Sequence, residues 1–289
     1  MPDELLRMAG GPLEVELLPG VGGRLHRLRA FGHDVLRTPD TLEVHRREPV
    51  AWGAYTMAPW CNRLSTAPTP VGDRVVRLPA SFADGSALHG QVAAIPWALA
   101  DDGSLAVRGG GDGWPWPYEV VQRLTIQDAC LRIDLSLTNL ADGPMPAGLG
   151  IHPWFRRPLA VRLAGSRVVP SNLDPAAGLE PVAGDLDLRR LRSVPDGLDG
   201  TWTDLDEPAL EVRWPELGLT AEISLLADAG RCVALATLPG IDAVAIEPQT
   251  HLPQGLRRLL EGDPGGLQVL APGATLQLTT EWRFSRATR

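Results

Sequence analysis

An all-β fold, a large antiparallel sandwich of two stacked sheets, is what this 289-residue sequence predicts, with residues 1–289 read as one domain. Three observations predict it. Apolar and polar residues alternate with period two from end to end, the signature of half-buried strands. Thirty-one glycines and 27 prolines punctuate those runs at short intervals, as expected where turns join many strands. Helical periodicity is scarce, and strands do not alternate with 10–15-residue helical stretches, so a parallel βαβ sheet is not expected.

The elements follow in order. "LEVELL" from Leu13 puts Leu13, Val15 and Leu17 on one face. "LRIDLSLT" puts Leu131, Ile133, Leu135 and Leu137 opposite Arg132, Asp134, Ser136 and Thr138. "LEVRW" from Leu210, "LTAEISL" from Leu219 and "TLQLTTEWRF" from Thr275 alternate likewise. "QGLRRLLEGD", beginning at Gln254, is the one stretch that reads as a short helix. No repeat and no low-complexity linker divides the chain.

Composition narrows the function. The formal net charge is -8, and no basic stripe runs through the sequence, so nucleic acid is not an expected partner. All the basic residues are arginine, which excludes a Schiff-base lysine, a pyridoxal-phosphate anchor and a P-loop lysine. No apolar run approaches the ~20 residues of a membrane span. The opening "MPDELLRMAGG" lacks the apolar core of a secretory signal, so a cytoplasmic protein is expected. Cys61, Cys130 and Cys232 form no C-x-x-C pair and read as buried free thiols.

Nine of the 15 aromatic residues are tryptophan. Trp52, Trp60, Trp97, Trp114, Trp116, Trp154 and Trp202 lie beside loop signals. An indole can pack on the C–H face of a sugar, yet filling the space between sheets is the commoner use of each one. Of the six histidines, His26, His33 and His45 lie in polar, arginine-rich sequence and read as surface residues. His251 reads as a pocket or loop residue. No histidine spacing suits a metal, so no metal site is expected.

Four segments place polar groups in costly settings. "APWCNRL" sets Asn62 and Arg63 after Pro-Trp-Cys. "ALHGQ" sets His89 before a glycine that allows close backbone approach. "GIHPWF" sets His152 between apolar residues and a proline that biases it to extended geometry. "VAIEPQT" ends an apolar strand on Glu247, a carboxylate that must be paired or carry a raised pKa.

These four segments, in this order, resemble the aldose 1-epimerase (galactose mutarotase) family from about residue 57 to 250. The resemblance implies a two-sheet β-sandwich with an open sugar-binding cleft, a monosaccharide substrate and no metal or organic cofactor, in a monomer or homodimer. It implies Glu247 as general base and His152 as general acid, on opposite sides of the sugar ring, with Asn62, Arg63 and His89 binding substrate. A further sugar-binding aspartate is best matched by Asp199, with Asp204 as fallback and Asp196 nearby. Trp154 stands where a tyrosine is common, and Gln91 where a second glycine often follows "LHG". Interconverting anomers takes one proton from the C1 hydroxyl and delivers one to the ring oxygen, work worth ~10²–10⁴-fold per positioned group. A hexose 6-phosphate held by Arg24, Arg46, Arg47, Arg156 or Arg157 is the rival substrate. A non-catalytic sugar sensor on the same scaffold is the rival class.

Overall fold

A computed structural model describes residues 4–286; residues 1–3, the first of "MPDELLRMAGG", lie outside it. Eighteen strands join by hydrogen bonds into one curled antiparallel sheet, with three two-stranded pairs beside it. The predicted strands are where the alternation put them: Leu13–Leu18, Cys130–Asn139, Asp199–Trp214, Leu219–Ala227 and Thr275–Arg286.

The sheet curls into two layers. One layer runs from Leu105–Gly111 through Trp114–Gln127, Cys130–Asn139 and Thr275–Arg286 to Leu219–Ala227. The other runs from Ala54–Met57 through Gly150–Arg156 and Ala243–Gln249 to Cys232–Ala236. The 16-residue strand Asp199–Trp214 belongs to both: Asp199–Trp202 pairs with Cys232–Ala236, and Leu210–Trp214 pairs with Leu219–Ala227. The expected sandwich is therefore two layers of one continuous sheet. Its layers meet where Phe155 packs against Trp282 at 5.4 Å and Trp214 at 5.7 Å between ring centroids, with ring planes 57° and 68° apart, towards the edge-to-face arrangement that aromatic pairs favour over a face-to-face sandwich.

Strand parity decides which side chains enter that core. Along Gly150–Arg156, Ile151 and Phe155 point into it, while His152 and Trp154 face the other way. Along Ala243–Gln249, Val244 and Ile246 are core residues, and Ala245 and Glu247 face outward. Both strands are buried on both faces, because loops cover the outer one.

The expected helix is Gly255–Leu260, and a second short one, Glu43–Arg47, was not foreseen. That second helix overturns one expectation. It lays His45 over the strand Arg24–Ala30, so His45 and His26 are buried with ring centroids 5.2 Å apart, and His33 is half-buried. Trp114, Trp116 and Trp202 fill the core; of the seven loop-flanking tryptophans, Trp154 is the one in the cleft described below. Cys61, Cys130 and Cys232 are buried free thiols. Among the described residues no helix is long and apolar enough to cross a membrane.

Candidate active site

The outward face of the second layer is the floor of a cleft of about 460 Å³. Strand register builds that floor in two rows. His152 pairs with Tyr55 on one side. On the other side Gly150 pairs with Gln249 and Trp154 with Ala245, which sets His152 opposite Glu247 midway between them. The first row is therefore Tyr55, His152 and Glu247. Two residues along, Trp154, Ala245, Ala236 and Asp199 form a second row through successive cross-strand pairs. The alanines have little side chain, and they leave the hollow between Trp154 and Asp199.

His152 Nε2 lies 3.2 Å from Glu247 Oε1, and both side chains are about 95% buried. The resemblance implied an acid and a base on opposite sides of a sugar. The structure instead puts the two in contact, because they are cross-strand neighbours on one face. Burial governs the pair. It pushes the Glu247 carboxyl up to about 8, with the Asp199 carboxylate adding to the rise and Arg63 opposing it. It also pulls the His152 imidazole down to about 3. Desolvation penalises charge on either ring or carboxyl, so the cleft floor holds a neutral pair sharing one proton. Glu247 Oε2 and His152 Nδ1 are buried without a hydrogen-bond partner, and such orphans are rare and often functional. Tyr55 stacks on His152 at 4.6 Å and 19°, and Trp154 packs beside it at 5.0 Å, which together hold the imidazole plane.

Asn62, Arg63 and His89 reach the cleft from above the floor, where the strand Arg63–Leu64 pairs with Ala87–Leu88 and so sets Asn62 and His89 side by side at its ends. Asn62 and His89 have φ of +53° and +57°, a left-handed conformation that costs a non-glycine residue about 1–3 kcal/mol and clusters at functional sites. The surroundings enforce it. Gly90 has φ +76°, and a Cβ there would meet the Ala58 carbonyl oxygen at 1.9 Å. Asn62 Oδ1 accepts the Arg63 N–H at 2.8 Å. His251 Nε2 accepts the Cys61 N–H at 2.9 Å while His251 Nδ1–H donates to the Leu252 carbonyl, so this histidine braces the loop from outside the cleft. Arg63 donates through Nε to Asp84 Oδ2 at 2.7 Å and leaves its remaining donors for the cleft.

The His89 tautomer follows from one bond. The Asn62 backbone N–H donates to His89 Nδ1 at 3.2 Å, so the neutral ring carries its proton on Nε2. His89, edge-on to His152 at 4.9 Å, thus offers a donor. Burial drives its pKa well below the usual histidine range. His89, His152 and Glu247 could otherwise make a metal triad, with ligand-capable atoms all within 4.8 Å of one another. The donor set does not fit one: the His89 nitrogen available to the cleft bears a hydrogen and has no lone pair to give.

Asp199 lies in the cleft, held by Asn172, whose N–H and Nδ2 donate to the two carboxylate oxygens at 2.9 and 2.7 Å. Thr201 Oγ1 donates to Asn172 Oδ1 at 2.6 Å and fixes the amide's orientation. Asp204 and Asp196 are elsewhere: Asp204 lines a separate hollow, and Asp196 pairs with Arg157. Tyr55 and Asn172 were missed from the sequence. Tyr55 was legible only through its register with His152, and Asn172, in "VVPSNLD", had no local signal. Gln91 turns away, bonding Gly111 and Tyr118.

The curled antiparallel sheet and the buried carboxyl–imidazole pair on the floor of its open cleft define a β-sandwich protein with a candidate acid–base site. The family model for aldose 1-epimerase matches residues 10–205, and this chain belongs to that family. The match takes in Asn62, Arg63, His89, His152 and Asp199 and stops before Glu247. No curated protein matches the chain. A galactose mutarotase-like protein from Clostridium acetobutylicum has a similar fold at a TM-score of 0.85 and 17% identity, over 98% of this chain and 95% of that one. The galactose 1-epimerase of Lactobacillus acidophilus NCFM is similar at 0.80 and 16%, again over 98% and 95%.

Proposed function

We propose that this chain is a cytoplasmic aldose 1-epimerase that interconverts the α and β anomers of a free, unphosphorylated aldose. The observation that carries the reading is the 3.2 Å contact between His152 and Glu247 at the floor of the cleft, with Glu247 Oε2 unpartnered. A sugar hydroxyl would satisfy that oxygen. With the sugar engaged, the shared proton moves to His152 over the existing contact, helped by the Arg63 cation that favours a carboxylate at Glu247. Glu247 then takes the C1 hydroxyl proton as the C1–O5 bond breaks, and His152 delivers its proton to O5. After rotation about C1–C2 the two exchange roles: His152 recovers the O5 proton as O5 closes on C1, and Glu247 returns its proton to the new hydroxyl. Asp199, Asn62, Arg63 and the His89 Nε2–H supply hydrogen bonds to the remaining oxygens, and the Trp154 face supplies an apolar wall.

The cleft's charge argues against a phosphosugar. Arg63 is the one arginine among its lining residues, it is tied to Asp84, and it faces the Asp199 and Glu247 carboxyls. Arg24 is buried beneath the site, Arg46 and Arg47 pair with Glu43 and Glu48, and Arg157 pairs with Asp196. Arg156 is likewise absent from the lining. The test is α-to-β equilibration of glucose, galactose and glucose 6-phosphate, followed by polarimetry or NMR. Acceleration of a free aldose with little on the phosphate is expected. No acceleration of any sugar overturns the reading in favour of a sugar-binding domain.

A further inference from the structure

Arg24 has no solvent-exposed surface, and among the described residues it pairs with no carboxylate. Its guanidinium donates to the Val21 carbonyl at 2.8 Å, to the Ala93 carbonyl at 2.5 Å and to His45 Nδ1 at 3.3 Å. Burial lowers it to about 10, so it stays a cation at neutral pH. Leaving a charge inside without an ion partner is costly, and the structure offsets the cost at a distance. A guanidinium can only donate, so His45 Nδ1 accepts and the proton of the neutral ring sits on Nε2. His45 Nε2–H then donates to His26 Nδ1 at 2.9 Å, and His26 Nε2–H faces Glu16 Oε2 at 3.9 Å near the surface. Burial keeps both rings neutral, pulling His45 to about 3 and lowering His26. Two aligned imidazole dipoles thus connect a buried cation to a surface carboxylate.

The cationic end of this chain lies against the cleft. Arg24 Cζ is over the Tyr55 ring at 5.5 Å, and the same ring stacks on His152. The other titratable or charged groups near the pair are His89, Cys61, Arg63, Asp199 and the Tyr55 hydroxyl, which donates to the Val50 carbonyl. Arg63 and Asp199 border the cleft, so a bound sugar alters their hydration. Arg24 is sealed from solvent and lies outside the cleft lining, so salt screens its field far less than that of an exposed charge.

We propose that Arg24 is a positioning residue of this reaction: its sealed charge, acting past Tyr55, sets how tightly the His152–Glu247 pair holds its proton. The inference rests on the reading of that pair as the proton-transfer centre. A fixed cation favours release of the proton, and so opposes the burial that would otherwise hold it on Glu247 into the alkaline range.

The test is the pH dependence of mutarotation, with NMR titration of the His152 ring as a readout independent of activity, for Arg24→Gln, Arg24→Lys and Glu16→Gln. Arg24→Gln is expected to move the alkaline limb and the His152 titration up by roughly one pH unit. Arg24→Lys should leave both near their wild-type positions. Glu16→Gln, which removes the distant anion, should move them in the opposite direction by less. A folded Arg24→Gln protein with unmoved limb and titration overturns the proposal. If Arg24→Gln does not fold, an unmoved Glu16→Gln protein overturns it. A wild-type protein that mutarotates no sugar defeats the reading of the pair instead, and the His152 titration still reports the Arg24 effect.

Discussion

His89 accepts the backbone N–H of Asn62 at Nδ1, and that bond between two left-handed residues gives the cleft a donor where the sequence alone left a tautomer open. The same bond removes the lone pair a metal would need. Treatment with EDTA is therefore expected to leave the rate of aldose equilibration within twofold of the untreated protein. A loss that zinc or another divalent ion restores would show that His89 adopts the other tautomer.

His152→Asn and Glu247→Gln should each lower mutarotation by about 10²-fold or more, with far-UV circular dichroism unchanged. Rates near wild type in both variants would move the chemistry to other residues.

The pH profile follows from the single shared proton. Above about 8 the pair loses it, leaving no acid. Below about 3 both partners are protonated, leaving no base. kcat/KM should therefore be level through neutrality and fall on the alkaline side, with limbs that belong to the pair and not to either residue. A limb centred near the ordinary histidine value of ~6.5 would contradict the buried neutral pair.

Asn172→Ala unpins both oxygens of Asp199. The expected result is a KM about tenfold higher with kcat changed less, as for a side chain whose bonds to substrate and transition state are alike. A selective loss of kcat would give Asp199 a part in the proton chemistry.

Acid stability has a definite sign. Burial lowers His45 and His152 to about 3 and His251 to about 4. Below pH ~6.5 the unfolded chain takes up protons on these three rings that the folded chain refuses; Glu247, raised to about 8, acts in the opposite sense but is one group against three, so stability falls as pH drops from ~6.5 towards 4. Urea midpoints at pH 7.5, 5.5 and 4.5 should decline in that order.

Much of this was legible in the sequence, for physical reasons. Strand alternation at Leu131–Thr138 and Thr275–Phe284 survives because each face meets a different medium. The polar residues in "NRL", "LHG" and "IEPQT" stood out because a buried polar group is expensive wherever it occurs. His26 and His45 were misread because their neighbours are polar, while their burial depends on a five-residue helix with no periodicity of its own. Tyr55 and Asn172 were invisible because cross-strand register and a side-chain bridge to Asp199 are long-range facts. The contact of His152 with Glu247 was likewise hidden, since it rests on which residues of two strands 95 positions apart fall opposite each other.

That long-range register bears on how the protein comes into being. The first row of the cleft floor draws Tyr55, His152 and Glu247 from strands separated by about a hundred residues each. Pairings of such sequence separation form late, after the entropy of closing large loops has been overcome. A nascent or refolding chain therefore completes this row only when the last of these strands docks. The return of mutarotation in a refolding experiment would time that final docking, while circular dichroism records the earlier growth of the sheet.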